Sequence, residues 1–175
     1  MRIIAGRWRG RRLKAPTGRD VRPTTDRVRE SWMAALGPSL ESASVLDLFA
    51  GSGALGFEAL SRGAVRVVFV ERARGALSVI RANAELLGAE SEVDIRSGDA
   101  MGYVSRLTEE SFDLALADPP YGKGFAARLV ERFVSTPFAS QLWVEHRKTD
   151  PIPDFPGIRQ RRYGDTLLST VEAKS

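Results

Sequence analysis

From residue 44 onward, short apolar runs alternate with longer amphipathic stretches. "SVLDLF" (44–49), "VRVVFVE" (65–71), "EVDIRS" (92–97), "FDLALAD" (112–118) and "QLWVEH" (141–146) have strand length and strand composition. Between them, 54–62, 73–87, 100–107 and 124–135 read as helices. Strands alternating with helices predict an α/β fold with a mostly parallel sheet covered on both faces. The continuous apolar runs "VVFV" and "LALA" suit its central strands. The end of the chain differs. "GIRQRRY", "GD" and "TLLSTVE" predict two strands around a tight turn, an antiparallel hairpin.

Before residue 44, Val28, Trp32 and Leu36 recur every four positions and give "TTDRVRESWMAALG" a helical face. Thr24 or Thr25 is the expected cap, Asp26 suits the positive helix end, and Gly37 ends it. "APTGRDVRP" (15–23) is a loop punctuated by two prolines and a glycine. Residues 2–14 predict two short strands around Gly6 and Gly10, a β-hairpin. One domain of residues 24–175 follows a basic hairpin and linker of residues 1–23.

Charge sharpens this division. The chain of 175 residues has a net charge of +4. Residues 1–30 hold ten Lys and Arg against three Asp and Glu, a net of +7, so the remaining residues sum to −3. A basic arm on a mildly acidic body points to a polyanion partner. Trp8 lies among Arg7, Arg9, Arg11 and Arg12, where an indole can stack on bases, so nucleic acid is the expected partner. The absence of cysteine excludes disulfides and thiolate metal sites. No metal is expected. No apolar run reaches membrane-spanning length and the first residues lack a signal-like apolar core, so a cytoplasmic protein is expected.

Two segments carry chemistry. "VLDLFAGSGALGFEAL" is a strand, a glycine loop and a helix. Gly51, Gly53 and Gly56 satisfy G-x-G-x-x-G, and Glu71 follows Gly51 by 20 residues. A nucleotide-like ligand is implied. Asp47 stands where a pyrophosphate would lie, so its carboxylate favours a cationic ligand such as S-adenosylmethionine. Glu71 suits ribose hydroxyls, and Asp99 in "SGDA" suits an adenine amine or caps the helix after it. Phe49 and Ala100 flank these acids. The second segment, "ADPPYG", ends the fourth strand beside the same crevice. Pro119 and Pro120 remove two N–H donors and leave carbonyls. Asp118 with a proline carbonyl forms an acceptor pair for an exocyclic amine, and Tyr121 can stack on a base flipped out of its helix.

"DPPY" downstream of "DLFAGSG" resembles the amino-methyltransferases that modify exocyclic nitrogens of nucleic-acid bases. With "RPTTDRVRESW", "DLFAGSGALGFEALSRGA" and the late "RRYGDT", the chain resembles the small bacterial 16S rRNA guanine-N2 methyltransferases that act on guanine 966. The resemblance implies a Rossmann-like, S-adenosylmethionine-dependent methyltransferase fold with a seven-stranded sheet and an N-terminal extension. It implies the assembling 30S subunit and its 16S rRNA as substrate, with catalysis by Asp118, Pro119, Pro120 and Tyr121. Lys123 joins the arm as a candidate RNA contact. "WVEHRK" is a departure from the family pattern, which leads one to expect a second acidic residue at or near His146. His146 itself reads as a surface residue at a strand end, and Trp32 and Trp143 as core. A DNA adenine-N6 methyltransferase shares "DPPY" but ordinarily carries a target-recognition domain. A non-catalytic nucleotide-binding module needs only the glycine loop and Glu71.

Overall fold

The computed structural model describes residues 1–16, 26–108 and 111–174, and no side chain at 26 or 27. Most of the expected loop over 15–23, the capping Thr24 or Thr25, and the Asp26 carboxylate lie outside that description. The first helix, α1, spans Asp26–Leu36. It ends in a 3-10 turn over Gly37–Leu40. Trp32 and Leu36 are buried in the core, whereas Val28 is half-buried and faces a cavity.

Strand β1 (Ser44–Leu48) leads to helix α2 (Ala54–Ser61), β2 (Arg66–Glu71) to α3 (Arg74–Leu87), and β3 (Val93–Ser97) to the short α4 (Ala100–Val104). Strand β4 (Leu114–Ala117) leads to α5 (Phe125–Ser135), and β5 (Gln141–Arg147) to the hairpin β6 (Arg159–Tyr163) and β7 (Thr166–Glu172). The seven strands lie in the order β3-β2-β1-β4-β5-β7-β6. The first five are parallel and the hairpin strand β7 pairs antiparallel with both β5 and β6. This is the expected sheet. Strands β1 to β3 grow toward one edge, and the chain then returns to the other side of β1 to lay down β4. That reversal opens a crevice at the carboxyl ends of β1 and β4, where open α/β sheets bind ligands.

Strand alternation sorts side chains into two cores. Val45, Val67 and Phe69 join Trp32, Phe57 and Ile80 on one face. Leu46, Leu48, Val68 and Val70 join Leu129, Phe133 and Phe138 on the other. Gly56 lets α2 lie close to β2, because a Cβ there would fall 2.3 Å from Phe69 Cε1.

Most elements are shorter than their patterns predict, and in three of them the local cause is plain. β1 stops before Phe49, whose φ is +57°. β4 begins late because Asp113 turns its carboxylate onto the N–H and hydroxyl of Ser44, each at 2.7 Å. Beyond Val104, α4 tightens, with N–H groups of Arg106 and Leu107 bonding to Tyr103 and Val104.

The N-terminal segment is not a two-stranded hairpin. It holds one antiparallel bridge, Arg2 with Arg12, and a chain of turns. The N–H groups of Ile3, Gly10 and Leu13 bond across the segment, to Arg11, Ile3 and Met1, and others go elsewhere. Ile4 and Ala5 donate to the fully buried Glu58 carboxylate at 2.8 and 3.0 Å, and Arg7 and Trp8 donate to Ser61 at 2.8 and 3.0 Å. Gly6 makes this contact possible, since a Cβ would lie 1.8 Å from the Ser61 carbonyl oxygen. Ile3 and Leu13 are buried in the first core, so the segment is part of the packing of α2. Among the described residues, no helix is long and apolar enough to cross a membrane.

Candidate active site

The crevice at the carboxyl ends of the strands is a cavity of about 890 Å³. Phe49 comes from just past the end of β1, Glu71 and Arg72 from the end of β2 and the residue after it, and Asp99 and Ala100 from the cap and start of α4. Asp118, Pro119, Pro120 and Tyr121 come from the end of β4, Glu145 from β5, and Tyr163, Asp165 and Thr166 from the hairpin. Eight of the residues singled out in the sequence thus meet in one chamber. Among the described residues, its lining carries five carboxylates (Glu71, Asp99, Asp118, Glu145, Asp165) and one guanidinium, Arg72. Such a chamber favours a cationic ligand and repels phosphates.

Glu71 organises one half of the chamber. One carboxylate oxygen accepts the Gly51 N–H at 2.9 Å, and the other accepts those of Arg72 and Ala73 at 2.8 and 2.7 Å. The carboxylate therefore ties the glycine loop to the end of β2. Phe49 precedes that loop in the left-handed region, a conformation costly for a non-glycine residue. Its ring packs on Phe125 at 5.2 Å between centroids. Asp99 caps α4 by accepting the Gly102 N–H at 2.7 Å, so the capping role is observed.

Asp47 stands behind the chamber, and neither it nor Gly51 nor Gly53 belongs to the lining. It is 1% exposed and accepts the Gly56 N–H at 3.0 Å. Burial pushes its carboxyl well above the usual carboxylate range. The Gly56 N–H pulls the other way, and the charges of Asp118 and Glu71 push it further up. Asp47 therefore holds the start of α2 from below, and its charge reaches the ligand only through the loop. Strand alternation is the reason. Asp47 pairs with Phe69 and shares its face of the sheet, while Leu46 and Leu48 on either side of it turn to the other core.

The other half is built around Tyr121. Its hydroxyl donates to Glu145 Oε1 at 2.7 Å, and the Arg147 guanidinium lies 4.6 Å from its ring centroid. Burial, then the hydrogen bond and charge of Glu145, then the charge of Asp118, raise the hydroxyl above the usual tyrosine range. It stays a neutral donor at physiological pH. The Gly122 N–H donates to Asp150 at 3.0 Å, which fastens the loop after Tyr121.

Glu145 puts a buried acid in the chamber wall, one residue before His146. Sequence reasoning passed over it because "LWVEH" reads as a core strand. The available signal was its place at the carboxyl end of a parallel strand, where β1, β2 and β4 also put acids. His146 is not a surface residue. It is 1% exposed, because β7 covers β5 on the side away from β4. Its Nδ1 sits 2.9 Å from the Asp150 carbonyl and its Nε2 lies 2.7 Å from the Ser169 hydroxyl, so it fastens β5 to β7. Trp32 and Trp143 are buried in the core, as expected.

The arm residues lie elsewhere. Arg7 is paired with Glu92 through both guanidinium nitrogens, just before β3 begins, and stacks 4.0 Å from the Trp8 centroid. Trp8 is half-buried against the first core. Arg11 donates to the Leu86 carbonyl at 2.7 Å, at the far end of α3. The chamber lies at the opposite ends of both elements, one strand or helix length away, roughly 15–20 Å. Arg9 and Arg12 are exposed on the same arm, and Lys123 is exposed on the loop beside Tyr121.

A family model described as Conserved hypothetical protein 95 matches residues 1–172. The chain belongs to that family. Among sequences similar to this member of the Conserved hypothetical protein 95 family is Ribosomal RNA small subunit methyltransferase D of Escherichia coli K12. It is 34% identical over 159 residues, covering 89% of this chain and 79% of the relative. The Bacillus subtilis protein YlbH, provisionally named an rRNA methyltransferase, is 41% identical over 183 residues, covering 99% and 100%. Among solved structures, Escherichia coli yhhF, provisionally named a methyltransferase, matches with a TM-score of 0.85 at 32% identity over 99% of both chains. An RNA methyltransferase from Salinibacter ruber, solved with S-adenosyl-L-homocysteine, matches with a TM-score of 0.65 at 15% identity, covering 86% and 93%. The likeness to the Salinibacter protein is one of fold. The Rossmann-like methyltransferase fold expected from the sequence is the fold of this member of the Conserved hypothetical protein 95 family.

Proposed function

We propose that this chain transfers the methyl group of S-adenosylmethionine to the exocyclic N2 amine of a guanine in 16S rRNA, guanine 966 of the assembling 30S subunit. The observation that carries this reading is the acidic chamber with Asp118 and Tyr121 in its wall, on a fold shared with methyltransferases. The rRNA substrate follows the names of the relatives.

The residues fit the cofactor. Five carboxylates and one arginine among the described lining residues suit a sulfonium and an ammonium and do not suit a dinucleotide pyrophosphate. Phe49, Glu71, Asp99 and Ala100 would hold S-adenosylmethionine, with Gly51, Gly53 and Asp47 shaping the loop against it. When bound, S-adenosylmethionine supplies a methyl group activated by its sulfonium. The protein's part is to present the nucleophile. Asp118 and a carbonyl of the Pro119–Pro120 turn accept from the guanine amine and direct its lone pair inward. Tyr121 carries the base on the ring face that Arg147 does not cover. The proton lost after transfer goes to Asp118 or to water. Residues 24–175 act as the catalytic domain and 1–23 as an RNA-gripping arm. On the arm, Arg9 and Arg12 reach outward with Lys123, while Arg7, Trp8 and Arg11 hold the arm in place.

Labelled S-adenosylmethionine incubated with unmethylated 30S subunits, naked 16S rRNA and DNA tests the reading. Label should appear in RNA as N2-methylguanine. The substitution Asp118→Ala should abolish transfer while cofactor affinity stays the same. Label in DNA, or full activity in Asp118→Ala, contradicts it.

A further inference from the structure

We propose that Glu145 accepts the N1–H of the target guanine and so selects guanine over other bases that carry an amine. This rests on the guanine-N2 reading above and adds to it the residue that decides the base. Register puts Glu145 beside the catalytic loop. Ala117 of β4 pairs with Val144 of β5, so Asp118 and Glu145 leave neighbouring parallel strands at the same level. Strands in a sheet lie about 4.8 Å apart. Both side chains line the chamber with Tyr121, whose hydroxyl donates to Glu145 and feels the charge of Asp118. The Tyr121 hydrogen bond at 2.7 Å fixes the Glu145 carboxylate and occupies one of its acceptor positions. A carboxylate offers about four such positions, so it can accept a further donor from the chamber.

The chemistry then singles out one base. Guanine presents two adjacent donors, N1–H and the N2 amine. Asp118 takes the amine and Glu145 takes N1–H. Adenine and cytosine present an amine beside a ring nitrogen with a lone pair. An ionised carboxylate is an acceptor only, so it repels that lone pair and leaves two acceptors facing each other. Sites built around a buried polar group reject the analogue that cannot satisfy it. Glu145 is 3% exposed, so water cannot relieve the mismatch.

The test uses 30S subunits reconstituted with guanine or 2,6-diaminopurine at the target position. Diaminopurine keeps the N2 amine and replaces N1–H by a lone pair. The wild-type protein should prefer guanine by about 100-fold or more in kcat/KM. In Glu145→Gln the amide still accepts from Tyr121 and can donate to the diaminopurine N1. Its preference should fall to within about tenfold, mainly through faster use of diaminopurine. Calorimetric binding of S-adenosylmethionine verifies that the variant is folded. A Glu145→Gln variant that slows both substrates by the same factor overturns the proposal and leaves Glu145 as a support for Tyr121. A wild-type protein that uses both bases equally overturns it without any variant. A wild-type protein that methylates neither, with cofactor bound, contradicts the guanine-N2 reading itself.

Discussion

Stacking alone would make phenylalanine an adequate replacement for Tyr121, and the structure predicts otherwise. Tyr121→Phe keeps the ring and its contact with Arg147 but removes the hydroxyl that donates to Glu145 at 2.7 Å. Glu145 is 3% exposed, so no bulk water replaces the lost donor. A hydrogen bond to a charged group contributes about 1.5–3 kcal/mol, and leaving a buried acceptor without one of its donors costs a similar amount. The variant should therefore be destabilised by about 1.5–3 kcal/mol. For a chain of this size that lowers Tm by roughly 3–10 °C. Scanning calorimetry of the free protein reads this directly. Methyl transfer to 30S subunits should fall as well, because a ring tethered at one end presents the base less reproducibly. Tyr121→Phe with Tm within about 1 °C of wild type would show that the Glu145 contact carries no stability and remove the basis for a fixed ring.

The remaining expectations concern the loop, the buried acid and the arm. Gly56→Ala gains about 1 kcal/mol of helix propensity but drives a methyl group to 2.3 Å from Phe69 and 2.8 Å from Val67, an overpacking cost of about 1–3 kcal/mol, so Tm should fall. A variant as stable as wild type would mean the α2–β2 contact is looser than it looks. Asp47→Asn should raise the stability of the free protein at neutral pH. The folded-state pKa of Asp47 is raised, so the stability this group carries is complete below pH 3.8 and is lost as pH rises through the folded value. The advantage of asparagine should therefore be absent near pH 3.8 and largest at neutral pH in urea titrations, and equal stabilities at pH 7 would contradict the assignment. Deleting the arm would strip Ile3 and Leu13 out of the core, so its RNA role is better tested by Arg9→Gln with Arg12→Gln. Two lost phosphate contacts should flatten the slope of log affinity for 30S subunits against log salt by roughly 1.5 units, and an unchanged slope removes the arm from the interface.

The linear sequence determined the elements and the chamber's main acids. Apolar runs at strand spacing and the glycine loop are local signals, set by side-chain periodicity and backbone freedom. That is why β1 to β5, the C-terminal hairpin, Glu71, Asp99 and the Asp118–Tyr121 loop were legible without coordinates. What each acid faces was a question of tertiary structure. Asp47 and Glu145 both sit on buried strands, and only the stacking of α2 and the register of β5 beside β4 turn the first behind the chamber and the second into it. The same holds for His146, buried because β7 folds back over β5, and for the arm. Its glycines suggested a hairpin, but Glu58 and Ser61 on α2 take the N–H groups of Ile4, Ala5, Arg7 and Trp8, and the pairing stops at one bridge, Arg2 with Arg12. A strand's periodicity says which residues alternate. The partners that bury or satisfy them come from distant parts of the chain.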